Sequence, residues 1–200
     1  MASTVEKPVK ALLLSAYHAY SHAHWAAELT RELSGIQWTV MSLPPRYFRW
    51  RIRGNALSWV FSERERLSQD YDLLLATSMV DLVGLRGLLP KLASVPTVLY
   101  FHENQFAYPG SESQDFSAVE LQMLTVYSAL AADALVFNSA YNRDSFLQGT
   151  EDLLRKLPDH NPWQAVMQRL QDSSQVIPVP LSPGLSAIMP RQQGDRLQLL

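Results

Sequence analysis

The chain has 200 residues, of which 47% are hydrophobic and 18% charged, and its formal net charge at pH 7 is −2. This composition excludes a disordered tail, and the charge argues against a globally basic nucleic-acid-binding protein while leaving room for a local basic patch. No apolar run approaches the roughly 18 residues that a membrane span needs. The absence of cysteine excludes disulfide scaffolds, thiolate zinc sites and cysteine nucleophiles. The polar start carries no secretory signal, which predicts a cytoplasmic protein without membrane contact.

Short apolar runs alternate with helical patterns along the chain. Strands are predicted at residues 11–16, 36–41, 71–76, 97–101 and 134–137. Helices are predicted at about 56–67, 82–92, 116–131 and 140–147, and a further helix has Ser21 as its N-cap and ends at Gly35. This alternation predicts an α/β fold, with a Rossmann-like parallel sheet and helices on both faces. Ligands of such sheets bind beyond the carboxyl ends of the strands.

The character of the sequence changes near its end. Residues 175–184 contain three prolines and a glycine, which is typical of an extended linker. We therefore expect an N-terminal Rossmann-like domain at residues 1–174, followed at residues 175–200 by an interdomain linker and the start of a further domain.

The loop after the first predicted strand is rich in histidine. His18, His22 and His24 fall within seven residues, just before and inside the start of a helix. A helix N-terminus favours anions through its free N–H groups. A metal site is an alternative, but no carboxylate is near in sequence and the spacing fits no zinc motif. The histidines can also simply pack or cap at the helix start.

Polar side chains follow the fourth and fifth predicted strands as well. The first group consists of His102, Glu103, Asn104 and Gln105. Such side chains can accept a proton or bind hydroxyl groups, and α/β enzymes place working residues at this position, although a hydrogen-bonded loop that caps the sheet is the alternative. The second group is Asn138 and Ser139, where Ser139 is predicted to be an N-cap and a ligand at that helix end stays possible.

A basic and aromatic run lies between Leu43 and Ser62, where no acidic residue occurs. It contains Arg46, Arg49, Arg51 and Arg53, interleaved with Tyr47, Phe48 and Trp50. Arginine suits phosphates and aromatic rings suit unstacked bases, so the run is a candidate RNA-binding segment. A solvated loop with packed aromatic rings is the alternative, and the preceding Pro44-Pro45 pair predicts a loop here.

The order of these motifs resembles one known family. The matching stretches are Ser21-His22, Leu43-Pro44 with the basic run, residues 100–105, residues 136–139 with Asn142 and Ser145-Phe146, residues 156–160, and the segment that begins at Gln175. The chain resembles the N-terminal domain of the tRNA-queuosine α-mannosyltransferases, a family of glycosyltransferase-like proteins, over nearly its whole length. The resemblance implies half of a GT-B fold, in which the N-terminal domain receives the acceptor and a C-terminal domain of the same protein holds the nucleotide sugar.

The activity that this resemblance implies is transfer of mannose from GDP-mannose to queuosine in the anticodon loop of tRNA(Asp), with retention of configuration and without a catalytic metal. Together with the residue pattern, it gives His102 a role at the transferred sugar and Glu103 a role in orienting or deprotonating the acceptor hydroxyl. The expected substrate contacts are Ser21, His22, Asn104, Gln105, Asn138 and Ser139. The expected tRNA contacts are Arg46, Arg49, Trp50, Arg51 and Arg53.

Two other functions stay open on the sequence alone. The domain could belong to a glycosyltransferase that acts on a small sugar or lipid, with the basic run against anionic lipid; that function calls for a long amphipathic basic helix rather than a loop. It could also be a non-catalytic module that binds a nucleotide or RNA, which would tolerate the loss of His102 and Glu103.

Overall fold

A computed structural model describes residues 7–107 and 116–180. It contains one six-stranded sheet in the order β2-β1-β3-β4-β5-β6, and every neighbouring pair of strands is parallel. The strands are β1 (Val9–Ser15), β2 (Ile36–Ser42), β3 (Leu73–Thr77), β4 (Thr97–Phe101), β5 (Ala134–Phe137) and β6 (Ser174–Val176). The helices are α1 (Tyr20–Glu32), α2 (Phe48–Ser62), α3 (Arg64–Leu67), α4 (Leu82–Leu88), a 3₁₀ helix (Pro90–Ser94), α5 (Phe116–Ala131), α6 (Ala140–Lys156) and α7 (Trp163–Asp172). In this part of the chain no helix has the length and apolar character needed to cross a bilayer.

The five predicted strands are confirmed, and β4 and β5 have the predicted bounds. The sixth strand was not predicted. It is a three-residue edge strand, Ser-Gln-Val, that pairs only with β5, so it carries no apolar run that a sequence pattern could reveal. Gln175 and Val176, predicted to begin the linker, therefore belong to the sheet. The wider division of the chain into two domains stays a prediction.

The loop predicted for the basic run is wrong. Helix α2 begins at Phe48, immediately after the segment that contains Pro44 and Pro45. Proline restricts the backbone conformation of its own residue and of the residue before it, but a helix can begin soon after it. Ile52, Ala56 and Trp59 recur at helical spacing on the buried side of α2. Tyr47, which precedes the helix, has a φ of 53°, a left-handed conformation that is uncommon outside glycine.

The two predicted N-caps have different outcomes. Ser139 caps α6 as predicted, because its hydroxyl oxygen accepts a hydrogen bond of 3.2 Å from the Asn142 N–H. Ser21 is not a cap. Helix α1 begins one residue earlier, at Tyr20, and the capping position belongs to Ala19, which has no side-chain hydrogen bond to offer.

The sheet separates two apolar cores of unequal size. The larger core takes alternate strand residues such as Leu12 and Leu14 together with side chains from α2 and α4–α7, and it includes the mutually packed rings of Phe101, Phe137 and Phe146. The smaller core contains the intervening Leu13, and α1 covers it. The predicted presence of helices on both faces of the sheet is thus confirmed.

Tyr100 and Trp25 form the centre of the smaller core. Their rings stack with centroids 4.6 Å apart. The Tyr100 hydroxyl donates a 2.9 Å hydrogen bond to the carbonyl oxygen of Ile177, just after β6. Burial raises the pKa of Tyr100 to about 12, so this hydroxyl stays a donor at neutral pH.

We expect Phe146→Ala to lower the free energy of unfolding by about 3–5 kcal/mol, the usual effect of deleting a fully buried aromatic ring. The matched control is Phe61→Ala, because Phe61 is 76% exposed on α2 while Phe146 is 0% exposed. Urea denaturation followed by far-UV circular dichroism measures both. Equal losses in the two variants would contradict the assignment of Phe146 to the core.

Candidate active site

The polar stretches that follow β1, β4 and β5 meet at one edge of the sheet. The backbone ties them together there: Asn138 Nδ2 donates a 2.7 Å hydrogen bond to the carbonyl oxygen of His102, and the Ser78 hydroxyl donates one of 3.1 Å to the carbonyl oxygen of Glu103. Because all strands are parallel, their carboxyl ends share this edge. The residues that follow β1, β4 and β5 therefore lie close together.

A cluster of His22, His102 and Glu103 lies at the centre of this edge. The two imidazole rings stack with centroids 4.1 Å apart and planes 22° from parallel. His22 Nε2 lies 3.2 Å from Glu103 Oε2. The Glu103 side chain is 34% exposed, whereas His22 is only 2% exposed. The cluster therefore presents Glu103 to solvent and keeps His22 behind it.

His102 has an apolar and aromatic environment. The Trp25 ring meets it edge-on at 4.9 Å, and the Tyr100 ring lies 4.8 Å away. Burial and the nearby His22 lower the pKa of His102 to about 3. Its Nε2 is buried and has no hydrogen-bond partner among the residues that the structure describes. His102 is thus a neutral ring at neutral pH and does not act as a cation.

The burial of His22 argues against the predicted direct contact with substrate. The two preceding residues, Tyr20 and Ser21, are the exposed ones at the start of α1. His18 is engaged locally, since its Nδ1 lies 3.0 Å from the Ser15 hydroxyl, and burial followed by the nearby His22 lowers its pKa. The alternative of a histidine metal site gains no support: in residues 7–107 and 116–180 no group of three His, Cys, Asp or Glu side chains could hold a metal ion.

Asn104 joins the site loop to α6 rather than facing a ligand. It is 3% exposed, and its Nδ2 donates to the carbonyl oxygen of Asn142, at 3.1 Å, to its side-chain oxygen, at 2.7 Å, and to the Ser145 hydroxyl, at 3.0 Å. Its Oδ1 accepts hydrogen bonds from the N–H groups of Phe106 and Ala107. Both ends of this amide are occupied, so the substrate contact predicted for Asn104 is not supported and a structural role fits instead.

A cavity of about 330 Å³ opens beside the cluster. It is lined by His102, Glu103, Asn104, Ala107, Asn138, Ser139, Tyr141 and Asn142. Besides Asn104, four predicted site residues line this cavity: His102, Glu103, Asn138 and Ser139. Gln105 is half-buried on the adjoining turn. The sequence analysis missed Tyr141, whose ring is 74% exposed at the cavity rim. Its place in the first turn of α6, directly after the Asn138-Ser139 motif, was the available signal.

The basic run differs in accessibility from one arginine to the next. Arg46 and Arg49 are exposed. Arg53 forms an ion pair with Glu120 of α5. Arg51 is half-buried, and its Nε is buried without a hydrogen-bond partner among the described residues. The four arginines are therefore not equivalent, contrary to what their spacing suggests.

The start of α2 lies close to the candidate active site. The Phe48 ring contacts Tyr17, in the loop between β1 and α1, with centroids 5.6 Å apart. The same loop carries a 3.0 Å backbone hydrogen bond from His18 N–H to the Leu43 carbonyl oxygen. The basic run thus begins at the same edge of the sheet as the His22–Glu103 pair.

Trp50 lies against its own helix. A Cβ atom at Gly54, one turn later, would come within 2.6 Å of the indole ring, so the ring occupies the space that the missing side chain leaves. Trp50 is still 53% exposed. Gly54 therefore lets the indole lie flat on α2 with one face available.

Comparison with known proteins matches residues 10–181 to a family described as "tRNA-queuosine alpha-mannosyltransferase N-terminal". A Drosophila melanogaster protein named "tRNA-queuosine alpha-mannosyltransferase" is 30% identical over 171 residues. The match covers 86% of this chain but 44% of the relative, so the chain spans less than half the length of the protein it matches.

The low pKa of His102 predicts a pH dependence of stability. The folded chain resists protonation of this ring down to about pH 3, whereas the unfolded chain takes up the proton near the ordinary histidine pKa of 6.5. Unfolding is therefore favoured as the pH falls from 6.5 towards 3, with a slope from this group of at most about 1.4 kcal/mol per pH unit. In urea denaturation at pH 7.5 and pH 4.5, we expect His102→Gln to lose less stability between the two pH values than wild type. An equal loss would show that His102 titrates normally.

Proposed function

Because the chain belongs to the tRNA-queuosine alpha-mannosyltransferase N-terminal family, we propose that it is the acceptor-side domain of a retaining GT-B glycosyltransferase. The proposed reaction transfers mannose from GDP-mannose to queuosine in the anticodon loop of tRNA(Asp). The observation that supports this best is the placement of His102 and Glu103 together on a cavity at the carboxyl edge of a parallel sheet.

In this proposal, the bond between the anomeric carbon of mannose and the diphosphate breaks, GDP leaves, and a hydroxyl of queuosine forms the new bond on the same face. The hydroxyl proton moves to Glu103 or to the departing phosphate. Glu103 suits this role because its carboxylate is partly exposed and lines the cavity. His102 supplies a neutral hydrogen bond to the sugar, which does not oppose the positive charge that develops at the anomeric carbon.

The remaining substrate contacts are proposed for the polar rim. Asn138 and Ser139 line the cavity, Gln105 adjoins it, and Ser21 is exposed at the start of α1.

No catalytic metal is proposed, and we place the protein in the cytoplasm. Since the chain spans less than half of its relative, we propose that a C-terminal domain of the same protein holds most contacts to GDP-mannose. The chain alone should then bind this donor weakly and not turn over.

The helical structure of the basic run removes one argument against a lipid acceptor, because that acceptor calls for a basic helix. The family match favours tRNA instead. Arg46 and Arg49 are exposed and would contact phosphates, and Trp50 would stack on a base. Arg51 and Arg53 would complete the surface once Arg53 exchanges Glu120 for a phosphate. A module that only binds RNA would not need the His22, His102 and Glu103 cluster.

The transfer reaction tests the proposed function. The experiment uses a protein that contains this chain and the proposed C-terminal domain. It is incubated with GDP-mannose and queuosine-containing tRNA(Asp), and the tRNA nucleosides are then analysed by mass spectrometry. We expect hexosylated queuosine with the wild type, and we expect His102→Ala to lower kcat on the order of a hundredfold with a smaller change in the KM for donor. His160→Ala, in the exposed loop after α6, is the control. Normal kcat in a folded His102→Ala variant would remove His102 from the mechanism.

Binding of tRNA to the basic run predicts a specific salt dependence. Removing one phosphate-contacting arginine should lower the slope of log affinity against log salt by about one unit, with similar losses for different tRNAs. Arg46→Ala and Arg49→Ala should show this most clearly. Arg64→Ala, at the start of α3, has the same charge change and should leave the slope unaltered. Trp50→Ala should cost roughly 1–3 kcal/mol with little change in slope. Fluorescence anisotropy at several salt concentrations measures all of these.

Unaltered slopes in the variants of Arg46, Arg49, Arg51 and Arg53 would place the tRNA elsewhere. Gly54→Ala adds an independent check on Trp50, because the new methyl group would displace the indole without removing it. If the indole stacks on a base, this variant should lose tRNA affinity in the same direction as Trp50→Ala.

A further inference from the structure

We propose that His22 is a positioning residue, which fixes the carboxylate of Glu103 through a hydrogen bond and the ring of His102 through stacking. This assignment replaces the substrate contact that the sequence suggested. The geometric part of the proposal stands independently of the reaction, and its kinetic part rests on the proposed function.

The first element is the contact with Glu103. Its backbone is held by the hydrogen bond from Ser78, but its side chain extends towards the cavity and is 34% exposed. A long, partly solvated carboxylate has many accessible rotamers. The 3.2 Å contact between His22 Nε2 and Glu103 Oε2 restrains one carboxylate oxygen, which leaves the other for an acceptor hydroxyl.

The second element is the way in which α1 surrounds His102. His22 and Trp25 are three residues apart, so they project from the same side of the helix. His22 stacks on the imidazole of His102 with centroids 4.1 Å apart, and Trp25 meets its edge at 4.9 Å. Tyr100 closes a third side at 4.8 Å. Of the three ring contacts to this imidazole among the described residues, α1 therefore contributes two.

The third element is the distribution of charge. Among the described residues, the titratable groups of this cluster are His22 from α1, His18 from the preceding loop, and Tyr100, His102 and Glu103 from β4 and the turn after it. His22 has a carboxylate partner, and the ring of His102 has none among the described residues. Burial and the nearby His22 lower the pKa of His102, so the ring of His102 stays neutral at neutral pH.

A histidine titration tests the geometry without any substrate. We expect the His102 resonances of the 200-residue chain to titrate near pH 3, since burial and His22 lower its pKa to about 3. His22→Gln removes the neighbouring imidazole that helps to lower the pKa of His102, so this pKa should rise while staying below 6.5, because burial still opposes protonation. The matched control is His18→Gln, which removes a nearby histidine that does not stack on His102. An unchanged His102 midpoint in His22→Gln, or an equal change in His18→Gln, would overturn the proposal.

Kinetics of the mannosyl transfer provide the second test. His22→Phe keeps a ring for stacking but removes the hydrogen bond to Glu103, so kcat should fall on the order of a hundredfold while KM changes little. In a Glu103→Gln background the same change should cost little more, because the two residues act as a unit. His22→Gln retains an N–H donor and should recover part of the lost kcat.

The two tests fail in distinguishable ways. Wild-type kcat in His22→Phe, or a full additional loss in the double variant, would reduce His22 to a packing residue. If the wild-type protein transfers no mannose, the proposed function fails and the titration alone decides the role of His22. Thermal unfolding confirms that each variant folds. His22→Phe also removes the imidazole and serves in the titration should His22→Gln fail to fold.

Discussion

The parallel direction of all six strands is the constraint on which the rest of this structure depends. Parallel strands need crossover connections, and these place every loop that follows a strand at the same edge of the sheet. His22 and Glu103 are 81 residues apart in sequence but 3.2 Å apart in space for this reason. The order β1-β3-β4-β5 at the centre of the sheet then puts the β1 and β5 loops on either side of the residues after β4.

This edge of the sheet has a base of hydrogen-bonded amide side chains beneath the cavity. The base is a network of Asn104, Asn138 and Asn142, in which Asn142 Nδ2 donates 2.9 Å to Asn138 Oδ1 and 3.0 Å to the Phe101 carbonyl oxygen. Amide side chains both donate and accept, so they can satisfy the backbone groups that a sheet leaves unpaired at its ends. The network fixes the peptide that carries His102 and Glu103, and the side chains of those two residues remain directed towards the cavity.

The sequence predicted the parts of the fold that local patterns determine. β4 and β5 are short apolar runs between polar flanks, and Ser139 is a cap because a helix starts directly after it. Three features depended on tertiary contacts instead. His22 is buried because α1 packs with this side chain against His102. Both ends of the Asn104 amide are hydrogen-bonded because α6 lies beside it. Arg53 forms an ion pair because α5 supplies Glu120. A motif can thus identify the residues of a site without showing which of them face the ligand, since that depends on elements far away in the sequence.

The hydrogen bond from Tyr100 to the Ile177 carbonyl oxygen has a mechanical consequence. Tyr100 belongs to β4, and its ring touches both Trp25 and His102. The segment after β6 is therefore linked to the His102 imidazole through the Tyr100 side chain alone, without the intervening strand β5. A change in the direction of the chain at Ile177 would therefore shift the Tyr100 ring. Through that ring it would act on Trp25 and His102 at the candidate site.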